Sequence, residues 1–397
     1  MNGWLGLVRP AYSLRAHVPA RAARTLMRAM SKAHGRIWIT PHPVDPDTGL
    51  QPVTIDTDGP LTHHQVRSLL QDRLGADLVH LTDPALATAA TGKTTQRLCV
   101  PTDHDRDLAL LDRDADHRVT AHLMLNPHAV DDLSGRRRRI ALVSNATAVL
   151  TLGAMPAPLV LPALESAAVH LRRATGLDIH PMPLDADTPE ALATAAKALA
   201  PGFAALCIAH TRPEHTAAVR DALADGPTAV VDTVLAHAVA TIAAALNALR
   251  HRGTAPADAT VVLSGAHRGW DLVGLLHALG VGELVLHDPA TSHPCLSGAA
   301  DLVVDLTGRI ETPPDGTTLL HADPRDLPLL HATNLRPHPL HTLPALLTAA
   351  ARGDRPGAGA LLAAARTLAD LADDGLLLPP VDLPGLPQTL ITALTED

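Results

Sequence analysis

The sequence predicts an α/β protein of two or three domains. The first 82 residues alternate strand-like and helix-like segments, residues 255–288 run strand, turn, helix, strand, and 397 residues suffice for several separate cores. At the N-terminal end, residues 12–18 read as a strand, 20–33 as a helix and 36–40 as a second strand. Residues 51–56 then read as a strand, 62–74 as a helix that opens near His63 and His64, and 77–81 as a short final strand. The order βαββαβ is ferredoxin-like. A linker is expected at 83–91. Further on, the β-branched run at 260–264 enters the turn Gly265-Ala266-His267-Arg268-Gly269-Trp270, and Asp288 lies 23 positions after Gly265. A phosphate turn followed by a ribose-binding acid about 20 residues later is the layout of a dinucleotide-binding half. Gly265, Arg268, Gly269 and Asp288 are therefore the candidate cofactor-binding residues.

Composition removes several function classes. The formal charge is −9 and the pI is near 6.2, so no overall basic field is available to hold nucleic acid or an anionic membrane surface. Cys99, Cys207 and Cys295 are odd in number, far apart and outside any CxxC pattern. Neither a disulfide framework nor a thiolate zinc site follows, and a reducing cytoplasm fits. No uninterrupted apolar run reaches the roughly 18 residues that suggest a transmembrane helix. The first 44 residues lack acids and carry several arginines, as transit peptides do, but their strand and helix signals read as the start of a domain. Tyr12 is the only tyrosine, Phe203 the only phenylalanine, and Lys32, Lys93 and Lys197 the only lysines. The core must be built mostly of Leu, Val and Ala, and a mechanism needing Tyr and Lys together has few candidates.

The block at 139–185, RIALVSNATAVLTLGAMPAPLVLPALESAAVHLRRATGLDIHPMPLD, resembles the malic enzyme family. The likeness runs from Gly92-Lys93 to Asp232 nearly without gaps. Pro101, Asp107-Leu108, Asn126-Pro127 and Ala200-Pro201-Gly202-Phe203 fall where the family places similar residues. It resumes at 343–378, with Leu343-Pro344-Ala345 at the family's FPG turn. The resemblance implies a malic enzyme substrate domain at 92–231. It also implies a Rossmann-like, NAD-binding-type parallel-sheet domain with closing C-terminal helices at 232–397, contracted between Asp288 and Pro344. Residues 1–82 are similar in order and position to the ACT-type module that precedes the catalytic part of some bacterial malic enzymes. Their first strand-to-helix turn, Val18-Pro19-Ala20-Arg21, lacks the glycine that ACT ligand sites usually place there.

Malic enzymes oxidise malate with a nicotinamide cofactor and decarboxylate the ketoacid on a divalent metal, which requires a base, an acid and hard oxygen ligands. The resemblance sets Asp112 at the family's tyrosine acid and Ser166-Ala167 at its glycine-lysine pair. Ala209-His210 stand at the Glu-Asp pair of the NLEDI motif, and Asp232-Thr233 at the Asp pair of the HDDQHGTA motif. A carboxylate is normally ionised at pH 7 and cannot donate a proton, and alanine cannot titrate. One carboxylate and one imidazole make a poor magnesium or manganese site. In the glycine-rich turn, His267 puts a side chain where backbone approaches pyrophosphate, and Trp270 an indole where helix packs on strand.

Other clusters read as background. Residues 102–122 hold Asp103, His104, Asp105, Asp107, Asp112, Asp114, Asp116, His117 and His122, which reads as a solvated acidic helix more readily than as a replacement metal site. Arg136 to Arg139 read as a solvated loop. Ser264, His267 and Asp271 imitate a nucleophilic triad without the GxSxG elbow. The 24 histidines read as mostly surface residues.

The expectation is a cytoplasmic malic-enzyme-fold pseudoenzyme with no catalytic residue and no metal ligand, acting by binding or assembly as a homo-oligomer or with a paralogue, without nucleic acid or membrane. The alternatives are an NAD(P)-dependent malate dehydrogenase (oxaloacetate-decarboxylating), using NAD(P) and Mn or Mg in a divergent site, and a small-molecule sensor working through the ACT-like module.

Overall fold

The computed structural model describes residues 10–149, 152–288, 300–313, 315–323 and 336–395. Cys295 and the side chain of Trp270 lie outside the described part. The chain divides into two compact units, Met1–Lys93 and Thr94–Asp397.

In the first unit the elements run β1 (Ser13–Pro19), α1 (Ala23–Met30), β2 (Ile37–Pro41), β3 (Leu50–Thr57), α2 (Pro60–Leu74) and β4 (His80–Thr82). The strands form one antiparallel sheet in the order β2-β3-β1-β4, the ferredoxin-like arrangement. Alternation along β1 turns Leu14, Ala16 and Val18 inward. They meet Val53 and Ile55 of β3, Leu26 and Met30 of α1, and Val66, Leu70 and Leu74 of α2. The i, i+4 spacing of those α2 residues is what makes one face of the helix apolar. Each fully buried Leu or Ile contributes about 1.5–3 kcal/mol.

Three details differ from the sequence reading. The first helix opens with a 3-10 turn at Ala20–Ala22 and stops at Met30, and a 3-10 turn at Gly75–Asp77 delays the last strand. The expected linker at 83–91 is instead α3 (Pro84–Ala90). The Asp83 carboxylate caps this helix by accepting from the amides of Ala85 and Leu86, and Pro84 fits its first turn.

The second unit begins with two helices, α4 (Asp105–Ala109) and α5 (Arg113–Leu125). A parallel sheet follows, built from β5 (Arg139–Ser144), α6 (Leu161–Thr175), β6 (Asp178–Pro183), α7 (Pro189–Leu199), β7 (Ala205–Ile208), α8 (Pro213–Leu223) and β8 (Ala229–Asp232), in the strand order β6-β5-β7-β8. Because β5 is covered on both faces it reads as a continuous apolar run. Ile140 and Leu142 join the cluster containing Leu164 and Leu171 of α6, while Ala141 and Val143 join Leu192 of α7 and Val219 of α8.

From Asp232 the chain passes directly into α9 (Thr233–Arg252), in which residues 236–249 are all buried. Among the described residues it is the one helix long and apolar enough to cross a membrane, and 78% of that window is buried inside the protein as core. Its many alanines let neighbouring backbones approach closely. Its core cluster contains inward residues of both sheets, including Leu142 and Leu263.

A second parallel sheet comprises β9 (Thr260–Ser264), α10 (Trp270–Leu279), β10 (Glu283–His287), β11 (Leu302–Asp305) and β12 (Thr318–His321), in the strand order β10-β9-β11-β12. The chain leaves β10 on one side of β9 and returns as β11 on the other with only residues 288–301 between them. The helices α11 (Leu343–Ala351), α12 (Ala358–Asp370) and α13 (Leu386–Thr395) close the unit against α9.

Candidate functional site

The carboxyl ends of β5, β7 and β8 are where parallel sheets place their ligands. After β5, the buried Asn145 amide donates to the Ala186 carbonyl at 2.9 Å and lies 2.9 Å from the ring Nδ1 of buried His215. The Thr147 hydroxyl donates to Asn145 Oδ1 at 2.7 Å and accepts from the Arg212 amide at 3.0 Å. Two non-glycine residues of this region, Ala146 (φ 55°) and His210 (φ 51°), occupy the left-handed region. The His210 carbonyl holds the two loops together by accepting from the Ala148 amide at 3.1 Å and the Ser144 hydroxyl at 3.4 Å.

The strongest electrostatic feature is one that sequence reasoning missed. Arg220 of α8 inserts between Asp232, at the end of β8, and Asp271, in the first turn of α10. Its Nε donates to Asp232 Oδ2 at 2.7 Å and its Nη2 donates to the same oxygen. Nη1 and Nη2 also donate to the two oxygens of Asp271 at 2.9 and 3.0 Å. Asp232 is buried and additionally caps α9 by accepting from the Leu235 amide at 2.8 Å. Burial pushes the Asp232 carboxyl upward, with Arg220 and the Leu235 amide pulling it back. Burial also opposes the Arg220 charge, but the two carboxylates outweigh it and hold the guanidinium above its ordinary value. The doubly bonded geometry is that of an ion pair. No motif marks Arg220. It stands on an ordinary amphipathic helix, 12 positions before Asp232.

The other matched positions are occupied structurally. Asp112 is exposed and caps α5, accepting from the amides of Asp114 and Ala115 at 3.1 and 3.2 Å. Ala167 packs against the main core from α6, and the hydroxyl of neighbouring Ser166 donates to the Pro162 carbonyl. Ala209 is buried, and burial lowers the pKa of His210. Thr233 opens α9. These groups do not fit a magnesium or manganese ion, which wants several hard oxygens, since the retained carboxylate is already committed to a guanidinium and a helix cap. Among the described residues no group of three or more His, Cys, Asp or Glu side chains can hold a metal.

The four candidate cofactor residues lie at the carboxyl end of the second sheet. Gly265, Arg268 and Gly269 form the turn into α10, and Asp288 is exposed one residue beyond β10. Gly265 has φ 82°, and a Cβ there would sit 2.6 Å from Thr307 Cγ2, so the close approach that requires glycine is to the chain's own threonine. Arg268 reaches the Leu306 carbonyl at 3.5 Å. The helix end that would face a pyrophosphate carries the Asp271 carboxylate in its first turn. That carboxylate is paired with the Arg220 guanidinium.

The imagined triad is not assembled through the expected partners. Ser264 Oγ lies 3.2 Å from His287 Nδ1, and Asp271 is taken by Arg220. The residues at 105–125 form exposed helices, as expected of a solvated face. Arg136 departs from the solvated-loop reading. Its side chain is only 14% exposed and ties Asp131 (2.5 Å), the Pro201 carbonyl and the Thr228 hydroxyl together.

The histidines are also not all on the surface, because His237 of α9 and His341 are buried. His341 Nε2 lies 3.1 Å from the Pro379 carbonyl, and Nδ1 lies 3.2 Å from the His338 amide and 3.0 Å from the His338 carbonyl. Burial lowers His237 to about 4, with the Asp323 carboxylate opposing the fall. Burial, with His341, His237 and His170 nearby, lowers His338 to about 3.

With this geometry established, comparisons identify relatives. The chain matches no protein-family model. It is 29% identical over 177 residues to the NAD-dependent malic enzyme of Rhizobium meliloti (strain 1021), a match covering 44% of this chain and 23% of that one. It is 26% identical over 214 residues to the NAD-dependent malic enzyme of Geobacillus stearothermophilus, covering 53% and 45% respectively. The matched part thus spans less than half the length of either relative. The solved structure of an NAD-dependent malic enzyme from Thermotoga maritima superposes with a TM-score of 0.71 at 19% identity, covering 79% of this chain and 99% of that one. The chain is related to malic enzymes in sequence and has their fold.

Two measurements test the site. Arg220→Met leaves the Asp232 carboxylate buried without its partner and is expected to cost about 3–5 kcal/mol in urea unfolding, whereas adding Asp232→Asn recovers part of that loss. A loss below about 1 kcal/mol for Arg220→Met would show that the clamp contributes as little as an exposed pair. The second concerns pH. His237 titrates at about 4 in the folded chain and 6.5 unfolded, so the unfolded state binds more protons between those values and stability falls as pH drops through that window. The expected loss is on the order of 3 kcal/mol. His237→Gln should flatten this part of the stability–pH curve, and an unchanged slope would remove His237 as its cause.

Proposed function

We propose that this malic-enzyme-fold chain has given up malate oxidation and decarboxylation and acts through binding or assembly, with a second copy or an active relative as its partner. One observation carries this reading. Asp232, the one carboxylate retained in the two matched acidic pairs, is consumed by Arg220 and by the cap of α9, and Thr233 stands at the metal-ligand position beside it. With Ala167 unable to titrate and Asp112 fixed as an exposed cap, the residues matched to the acid and the lysine supply no proton donor for the enol and no amine. The Asp271 carboxylate, held by Arg220, occupies the first turn of α10, where a pyrophosphate would approach the helix end.

A second reading, a working NAD-dependent malate-decarboxylating enzyme with a divergent site, is favoured by the sequence similarity to NAD-dependent malic enzymes. The two separate in a single set of measurements on the full chain. Under the first reading, malate with NAD or NADP and Mn²⁺ gives no reduced nicotinamide above background, and none of these ligands shifts the melting temperature. A ligand present at a hundred times its dissociation constant would add about 2.7 kcal/mol and could not be missed. Turnover that disappears in Asp232→Ala would overturn the first reading and establish the second.

A further inference from the structure

The two parallel sheets treat their outermost strands differently. β6, at one edge of the first sheet, carries Pro181 and Pro183. The Leu184 amide donates to the Ser144 carbonyl of β5, so by alternation Ile179, Pro181 and Pro183 turn their backbone away from the sheet, and the prolines have no N–H to offer there. Proline at such positions closes an edge to further pairing. β10, at the edge of the second sheet, has no proline. Its Glu283 amide donates to the Ala259 carbonyl and its His287 carbonyl accepts from the Gly265 amide, both on the side of β9. Leu284 and Leu286 therefore turn their N–H and C=O groups outward, and among the described residues no backbone group meets them. In a doubly wound sheet of order 3-2-1-4-5, β9 holds the first place and β10 the second, and among the described residues no strand fills the third. Both faces of β10 are open as well, with Val285 40% exposed on one and Leu286 49% exposed on the other.

The residues of β10, Glu283-Leu284-Val285-Leu286-His287, match a reversed copy of themselves. Two such strands set antiparallel about a two-fold axis at Val285 place Leu284 opposite Leu286 of the second copy. These are the outward-facing residues, so each pair exchanges both of its N–H···O bonds. The two leucines share a face and pack together there. On the other face Val285 meets its own counterpart, and Glu283 lies opposite His287, a carboxylate beside an imidazole. The Ser264 hydroxyl, 3.2 Å from His287 Nδ1, holds that ring from within its own chain. A register centred on Leu284 or Leu286 would keep the bonding direction but set Glu283 or His287 against Val285 and leave one end of the strand unpaired.

Resting on the assembly reading above, we infer that β10 is the edge at which a second copy of this chain joins, the two 4-stranded sheets running into one across an antiparallel β10 pair. Pairing satisfies the outward backbone groups of Leu284 and Leu286 and covers the apolar side chains that β10 leaves in solvent. The contact is the same patch on both copies, so it uses up the open edge of each and closes at a dimer.

Sedimentation velocity on the full chain across a concentration series tests this, with a dimer expected for the wild type. Val285→Asp sets two carboxylates face to face at the axis, and Leu286→Pro removes an outward N–H in the way that Pro181 and Pro183 do in β6. Each should raise the dissociation constant about tenfold or more. Both positions are exposed, so the melting temperature of the monomer should stay close to that of the wild type, which separates lost pairing from lost folding. Cross-linking reads the register, in a background with Cys99 and Cys295 replaced by serine. A mild oxidant should link Val285→Cys into a disulfide dimer, because opposed residues of a non-hydrogen-bonded pair stand about 4.5 Å apart at Cα, within disulfide reach. It should leave Leu286→Cys unlinked, because the residue opposite is Leu284. A chain that stays monomeric at every concentration overturns the inference. So does a dimer indifferent to Val285→Asp and Leu286→Pro, or one that links through Leu286→Cys and not through Val285→Cys, and both of these leave the assembly reading in place. Malate turnover bears on that reading alone and is measured separately.

Discussion

The second unit is tied together by one partly buried ion pair with a second carboxylate attached. Arg220 comes from α8, which covers the first parallel sheet. Asp232 ends that sheet and starts the core helix α9, and Asp271 belongs to the first helix of the second sheet. One guanidinium therefore fixes three elements that pure apolar packing would allow to slide. Alanine-rich helices such as α9 make this important, since small side chains give close approach but little interdigitation to set a register. The cost is desolvation of a carboxylate and a guanidinium, which is offset only while every oxygen of the pair is bonded.

The same clamp bears on the metal and phosphate positions of the malic enzyme pattern. A carboxylate committed to a guanidinium is unavailable to a divalent cation. Asp271, drawn to the mouth of α10 by that guanidinium, takes the favourable interaction with the helix dipole that a phosphate would otherwise use. Gly265 remains because Thr307 packs where any Cβ would stand.

Much of the fold was legible in the sequence because it rests on local periodicity. Alternation in β1, the i, i+4 apolar spacing of α2 and the β-branched run of β9 each predict their elements to within a few residues. The helix at Pro84–Ala90 was missed because its signal is a cap, Asp83-Pro84, and the alanines after it look like a linker. The site was less legible. The individual losses at Ala167, Ala209 and Thr233 could be read from matched positions, but Arg220 could not, since nothing local distinguishes an arginine that will be aimed at two carboxylates 12 and 51 positions away. Most histidines are outside the core, as their number suggested, but His237 and His341 owe their burial to α9 and to the turn before α11, which only the tertiary fold brings together.

The loops at the carboxyl ends of β5 and β7 are held by contacts of their own. His210 holds an imidazole in a left-handed backbone conformation, and Ala146 does the same with a methyl group. Each such residue costs on the order of 1–3 kcal/mol and persists only when its surroundings over-determine it. Here they do so through the His210 carbonyl, which Ala148 and Ser144 both bond, and through the bridge from Asn145 and Thr147 to His215 and Arg212. Every one of these contacts uses the backbone, a short polar side chain or the His215 ring, and none uses a side chain matched to the acid, the lysine or the metal ligands. The conformation of these loops therefore does not depend on the side chains at the matched positions. Under the proposed reading, those side chains can be replaced one after another while the strained scaffold around them remains the same.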